Sequence, residues 1–322
     1  MQESSRTGSK KQTEKGERMG EAIVSVRSFR KRYGQLVAVK DISFEVSRGE
    51  IFALLGPNGA GKTSTMESLE GLRAPDGGSL SICGIDPSRH PRRLRNLVGV
   101  QLQASTLPPA MTVDEAMTFF CRYHGVKPRN DLVERLGLEG KRKVQYARLS
   151  TGLQRRLSLA IAIAHNPRVL FLDEPTAGLD VQSRAELHTM VGELRASGTT
   201  VILATHDMAE AEKLADRAAI MLRGTLAAIG SPRQLTAAGS RKTRISIATE
   251  YGRLLSGSVR FPEAELQEPS EGYALYLSET PGKAVSAILA WLETAGDPLV
   301  DLRVERPSLE ERFLEITKGA HS

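Results

Sequence analysis

From residue 22 the chain alternates short β-rich runs with stretches of helical periodicity. Ala22–Val26 and Ile42–Val46 read as strands, the second with the alternation Ile42, Phe44, Val46 expected when one face is buried. Ile51–Leu55, Val169–Leu172 and Val201–Ala204 are instead unbroken apolar runs, while Leu153–Ala164 and Val181–Ala196 carry apolar positions at helical spacing. Unbroken strands with helices between them predict a mainly parallel sheet covered on both faces. A hairpin signal, Ala219–Leu222 then Arg223-Gly224 then Leu226–Ile229, ends this pattern. After Gly230-Ser231-Pro232 and the polar stretch Thr236–Thr243 the order changes: strand Arg244–Thr249, strand Tyr273–Ser278, helix Lys283–Thr294, strand Val300–Glu305, helix Ser308–Ile316. The expected organisation is a polar tail over residues 1–20, an α/β domain over 21–235 and a small α+β accessory domain over 236–322. No internal repeat is visible.

Composition narrows this picture. With 322 residues, 40% of them hydrophobic and 25% charged, the chain can bury cores without a disulfide or metal staple. No apolar run approaches the ~18 residues needed to span a bilayer, so the chain is not expected to cross a membrane by itself. Cys83 and Cys121 are too few for a disulfide scaffold and lie in no metal-like cluster, which favours a reducing compartment. The formal charge of +6 is partly local. Residues 1–20 hold Arg6, Lys10, Lys11, Lys15 and Arg18 with hardly an apolar side chain, the composition of a disordered tail. Arg27, Arg30, Lys31 and Arg32 form a second basic cluster. No aromatic residues interleave with it as a stacking platform for bases would need, so it reads as a solvated face, and no nucleic-acid partner is expected.

The chemistry begins at Gly56-Pro57-Asn58-Gly59-Ala60-Gly61-Lys62-Thr63, which fits G-x-x-x-x-G-K-[ST] between a predicted strand and a predicted helix. Glycines let successive backbone N–H groups turn around phosphate oxygens, and the helix starting near Lys62 points its positive end at the same anion. Lys62 can bridge β- and γ-phosphates and the Thr63 hydroxyl can ligate Mg²⁺; Ser64 completes the nucleotide-binding run. Farther along, the apolar strand Val169-Leu170-Phe171-Leu172 delivers Asp173-Glu174 to its C-terminal end, where α/β proteins bind ligands. Asp173 suits a Mg²⁺ shell, and Glu174 can polarise a water for attack on the γ-phosphate. These residues alone indicate a Mg-ATP or Mg-GTP hydrolase.

Leu149-Ser150-Thr151-Gly152-Leu153-Gln154 opens the helix before the carboxylate strand, and with the spacing of the other motifs it resembles the signature of ABC-type ATPases. The family's usual LSGGQ is here Leu-Ser-Thr-Gly-Leu: Thr151 adds a branched side chain and Leu153 removes an amide, while Ser150 and Gly152 remain. The resemblance implies that Ser150 and Gly152 contact the γ-phosphate held by the other subunit of a head-to-tail dimer. It implies further that Asp180, in Ala177-Gly178-Leu179-Asp180, crosses that dimer interface, and that His206 is the switch histidine acting with Glu174. Tyr33 falls where the family stacks an aromatic ring on adenine. Gln103, in Val98-Gly99-Val100-Gln101-Leu102-Gln103, falls where the family senses Mg²⁺ and begins a helical subdomain touching the membrane subunit; Gln101 competes for that role. Pro108–Tyr123, with a helix over Val113–Tyr123, is then the segment near the membrane partner. The motifs run over residues 22–230 in the family's order.

Arg306-Pro307-Ser308-Leu309-Glu310-Glu311-Arg312-Phe313-Leu314-Glu315-Ile316-Thr317 resembles the ending of ATPase subunits from bacterial drug and antibiotic exporters of the daunorubicin/doxorubicin-resistance type. By its own pattern, Ser308 can cap a short helix with Leu309, Phe313 and Ile316 on one apolar face. The implied protein binds ATP and Mg²⁺, pairs with a second ATPase subunit, expected to be a copy of itself, and works with separate membrane-spanning permease subunits at the cytoplasmic face of the membrane. The expected fold is that of a P-loop NTPase with a helical subdomain and an antiparallel N-terminal β region. A soluble ABC ATPase acting without a membrane partner and an ABC importer ATPase are the competing readings.

Overall fold

The computed structural model describes residues 22–102, 107–239 and 242–319; the expected tail of residues 1–20 and Gln103 lie outside these residues. In chain order the elements begin with β1 (Ala22–Tyr33), β2 (Leu36–Ser47), β3 (Ile51–Leu55), α1 (Lys62–Leu69), β4 (Gly77–Ile82), α2 (Pro91–Leu94) and β5 (Val98–Gln101). The middle of the chain forms α3 (Val113–Tyr123), α4 (Asn130–Arg135), α5 (Thr151–Ile163), β6 (Val169–Asp173), α6 (Val181–Ala196), β7 (Thr200–Thr205), α7 (Met208–Leu214), β8 (Arg217–Leu222), β9 (Thr225–Gly230) and α8 (Pro232–Ala237). The last elements are β10 (Thr243–Thr249), β11 (Glu265–Ser270), β12 (Tyr273–Ser278), α9 (Pro281–Ala295), β13 (Leu299–Glu305) and α10 (Leu309–Gly319).

The central sheet runs β5-β6-β7-β3-β8-β9, parallel except for the β8–β9 hairpin. Every residue of β3, β6 and β7 is buried, which is why these strands read as unbroken apolar runs. Successive side chains of β6 serve opposite layers. Leu170 and Leu172 pack with α3, α4, α5 and α6, whereas Val169 and Phe171 pack with Met66 and Leu69 of α1 and with the antiparallel sheet β2-β1-β4. Four helices start where their sequences supply a cap: Thr112 and Glu115 form a capping box on α3, and Ser150, Asp180 and Asp207 accept N–H bonds at the starts of α5, α6 and α7.

The basic cluster lies on β1 and is balanced across the sheet. Arg27 pairs with Glu45, Arg30 with Asp41 (2.8 Å) and Lys31 with Asp76 (3.0 Å). The two arginine pairs are exposed and worth little each, whereas the Lys31 side chain is largely covered.

Residues 243–305 form a second sheet, β11-β12-β10-β13, with its own core of Ile245, Ile247, Tyr276, Ile288 and Leu292 under α9. The last helix does not join it. Leu309 is fully buried, and with Phe313 and Ile316 it packs on Ala53 and Leu55 of β3, Met208 and Ala211 of α7 and Leu235 of α8. The boundary expected at residue 236 therefore needs correction at its far end, because α10 returns to the α/β unit. Its apolar stripe finds there a surface left open beside β8, and burying a side chain the size of Leu309 contributes roughly 1.5–3 kcal/mol. Ser308 and Glu311 cap this helix reciprocally, at 3.2 Å in both directions. No helix among the described residues is long and apolar enough to cross a membrane.

Candidate active site

The parallel strands β3, β6 and β7 are neighbours, so their C-terminal ends open onto one cavity. It measures about 510 Å³ and is lined by Tyr33, the run Pro57–Ser64, Asp173, Glu174 and His206, with Leu36, Val37, Ala38, Lys40 and Arg223 along its sides. Asp173 closes β6; Glu174 follows at φ 47°, a left-handed turn that separates its side chain's direction from that of Asp173. His206 follows β7, and its Nδ1 lies 2.8 Å from Glu174 Oε2. With Nδ1–H donated to one carboxylate oxygen, the second oxygen of Glu174 stays available to a water.

The loop between β3 and α1 requires glycine for a steric reason. Gly61, the residue before α1, has φ 103°, and a Cβ there would meet the Ala38 carbonyl oxygen at 2.7 Å. At Gly56 a Cβ would meet the Met221 carbonyl oxygen at 2.4 Å. The start of α1 has no side-chain cap and no acidic residue in its first turn. Its free N–H groups therefore face the cavity with the positive end of the helix.

Lys62 is buried and donates to the carbonyls of Gly56 (2.6 Å) and Pro57 (3.3 Å). Burial pulls its pKa below the ordinary lysine value, against the opposing pull of Glu174 and Asp173. Burial likewise pushes the Asp173 carboxyl up, with the Glu174 charge adding to it and Lys62 opposing. Two adjacent buried carboxylates facing one lysine call for a further cation, and the uncapped helix start with its glycine loop calls for an anion. The donor set thus fits a magnesium–nucleotide complex, with Thr63 and Asp173 on the metal side.

The cavity does not hold every residue singled out from the sequence. Ser150 caps α5, its Oγ accepting from the Leu153 N–H at 3.4 Å. Asp180 caps α6, accepting from the Ser183 N–H at 2.9 Å and from its hydroxyl at 2.8 Å. A Cβ on Gly152 would meet Ser183 Oγ at 3.0 Å, so the starts of α5 and α6 adjoin each other on a surface outside the cavity. Gln101 is buried at the end of β5 and does not line the cavity; both its amide atoms lack a partner among the described residues. The side-wall residues Leu36, Val37, Ala38, Lys40 and Arg223 had no signal in the sequence, since only the folded arrangement of the start of β2 and the β8–β9 turn brings them to the cavity. Only the glycine of the β8–β9 hairpin hints at this approach: a Cβ on Gly224 would meet the Ala38 carbonyl oxygen at 2.7 Å.

The family model described as ABC transporter matches residues 39–177. The chain is similar to Nod factor export ATP-binding protein I of Ralstonia nicotianae, at 37% identity over 303 residues that cover 92% of this chain and 94% of that one. It is 42% identical to the protein of the same name from Burkholderia orbicola over 223 residues, 67% of this chain and 73% of that one. Among solved structures it is similar to an ATP-binding subunit of an ABC transporter, with TM-score 0.63 and 26% identity over 67% of this chain and 92% of that one. It is similar also to cbiO1 of Clostridium perfringens, part of the ABC transporter complex cbiONQ, with TM-score 0.61 and 29% identity over 67% of this chain and 91% of that one.

Proposed function

Because the chain belongs to the ABC transporter ATP-binding family, we propose that it is the ATP-hydrolysing subunit of an exporter, working as a head-to-tail dimer that drives separate membrane-spanning subunits from the cytoplasmic face of the membrane. The domain binds ATP and is an ATPase. The observation that carries the rest is the division of the site. Lys62, Asp173, Glu174 and His206 share one cavity, while Ser150, Gly152 and Asp180 adjoin each other outside it. A second copy turned head to tail brings its Ser150 and Gly152 against the γ-phosphate held by the first, where a capping hydroxyl and an uncovered helix start suit an anion.

Within one cavity, Tyr33 receives the base, the N–H groups of the loop and of α1 receive the β- and γ-phosphates, and Lys62 leaves its loop carbonyls to bridge them. Thr63 and Asp173 would hold Mg²⁺, with Gln103 as a further ligand, and the ion neutralises charge on the phosphate oxygens when bound. Glu174 takes the proton of a water as that oxygen bonds to the γ-phosphorus; the bond to the β–γ bridging oxygen breaks, and ADP and phosphate result. His206 holds the Glu174 carboxylate in place.

Export rather than import is supported by the relatives, which are named for Nod factor export. The Arg306–Thr317 ending, which resembles that of daunorubicin-type drug exporters, supports export as well. It proposes a drug or antibiotic as cargo where the relatives' name would propose a Nod factor. The docking surface for the membrane subunits is the outer face of α3, where Phe119 and Tyr123 are 55% and 51% exposed beside Asp114, Glu115 and Arg122. The test is Glu174→Gln. It is expected to bind Mg-ATP with near-wild-type affinity, to dimerise on ATP by size-exclusion chromatography, and to lose turnover by ~10²-fold or more. Wild-type hydrolysis in that variant would overturn the assignment.

A further inference from the structure

Tyr33 lies at the end of β1 with two cations against its ring. Lys31 Nζ is 5.4 Å and Arg73 Cζ 5.3 Å from the ring centroid, both within the range of a cation–π contact. Tyr33 lines the nucleotide cavity and the two cations do not. Both cations are themselves fixed. Lys31 donates to the Ala74 carbonyl at 2.8 Å and pairs with Asp76 at 3.0 Å, and its side chain is only 11% exposed. Arg73 pairs through Nε with Glu67 of α1, the helix that begins at the phosphate loop. The loop carrying Arg73 is clamped to β1 as well, the Arg32 N–H donating to Asp76 at 2.7 Å and the Asp76 N–H to the Arg30 carbonyl at 2.9 Å.

We propose that Arg73, seconded by Lys31, is a positioning residue for the nucleobase: its guanidinium, tethered to α1 by Glu67, holds the Tyr33 ring so that the ring's cavity face receives the base in fixed relation to the phosphate loop. The inference rests on the reading of Tyr33 as the base platform given above. Its physical content is preorganisation. An aromatic side chain at a strand end has rotamer freedom to lose when a base stacks on it, and cations already bound to the ring restrict that freedom beforehand. The tether to α1 also makes the base and phosphate subsites parts of one rigid unit, because Glu67 lies one turn along from Thr63 and Ser64. Arg73 touches neither base nor phosphate in this scheme and acts through Tyr33.

The test compares equilibrium binding of Mg-ATP and of Mg-tripolyphosphate, which has no base, to the full-length protein, its Arg73→Ala, Arg73→Lys and Tyr33→Ala variants, and the Tyr33→Ala/Arg73→Ala double variant. Loss of a partly exposed cation–π contact corresponds to about a two- to fivefold weakening. Arg73→Ala is expected to weaken Mg-ATP by that factor and leave tripolyphosphate unchanged, with Arg73→Lys restoring most of the loss. The double variant is expected to bind no more weakly than Tyr33→Ala, since without the ring the guanidinium has nothing to position. Equal weakening of both ligands by Arg73→Ala would make Arg73 a charge felt by the phosphates and overturn the proposal. So would full Mg-ATP affinity in Arg73→Ala alongside a weakened Tyr33→Ala. Full affinity in Tyr33→Ala would overturn the base platform itself, a separate failure that takes the proposal with it.

Discussion

Glu70 gives the sharpest physical prediction about the unliganded fold. It ends α1, is 9% exposed, and its Oε2 has no hydrogen-bond partner among the described residues. Burial, with the Asp173 and Glu67 charges adding to it, pushes its pKa up from 4.5 to about 8. The folded state thus binds a proton at Glu70 that the unfolded state has released over the window between those values. Where the folded state binds more protons, stability falls as pH rises, at about 1.4 kcal/mol per pH unit. The penalty is absent below the unfolded value of 4.5, grows through the window and levels off above about 8, for a full size of about 5 kcal/mol. Glu70→Gln keeps the shape and removes the titration. A buried amide without a partner costs the variant something, but the same amount at every pH. The stability difference between variant and wild type, from urea unfolding in nucleotide-free buffer at a series of pH values, is therefore expected to rise in favour of the variant by several kcal/mol between pH 4.5 and 8. Groups that do not interact with Glu70 cancel in that difference. Parallel stability curves would refute the reasoning and place Glu70 in a wetter environment than its burial indicates.

Gly61→Ala must force a Cβ against the Ala38 carbonyl at a φ of 103°. Strain of about 1–3 kcal/mol is expected to lower the melting temperature and to weaken Mg-ATP binding tenfold or more, measured by calorimetry; an unchanged affinity would mean that the loop does not form the phosphate site. His206→Ala removes the contact on Glu174 and is expected to cut kcat by ~10² with ATP affinity within a few-fold of wild type, in a steady-state assay paired with nucleotide binding. Phe119→Glu alters an exposed side chain of α3, so stability should stay within ~0.5 kcal/mol and basal ATPase activity should be unchanged. Co-purification of a membrane subunit should be lost, and its retention would move the docking surface elsewhere.

Much of the site was legible because its chemistry is local in sequence. The phosphate loop occupies eight consecutive residues, and Asp173 and Glu174 are adjacent at the end of an apolar strand. Unbroken apolar runs at β3, β6 and β7 announced a sheet buried on both sides, and Val181–Ala196 coincides with α6. What was not legible depends on distant partners. The second half of β1 carries Arg27, Arg30, Lys31 and Arg32 without apolar alternation, and it is a strand because β2 and β4 supply hydrogen bonds while Asp41 of β2 and Asp76, just before β4, supply carboxylates. β11 has almost no buried residue and exists through its pairing with β12. The apolar stripe of α10 was visible, but not which surface it would cover; only the fold shows Ala53, Leu55, Met208 and Leu235 waiting for it. The two cations over Tyr33 come from two separate stretches of chain and the carboxylate that tethers one of them from a third, and no periodicity connects Lys31, Arg73 and Glu67.

The most direct test of a transporter engine is to purify tagged Glu174→Gln protein from its native membranes with Mg-ATP in mild detergent and identify what remains bound. Retention of a polytopic membrane protein in stoichiometric amount is the expected result, and it would also give a route to the cargo. Retention of ribosomes or nucleic acid, or of nothing beyond a second copy of the chain, would contradict the membrane role and leave a soluble ATPase.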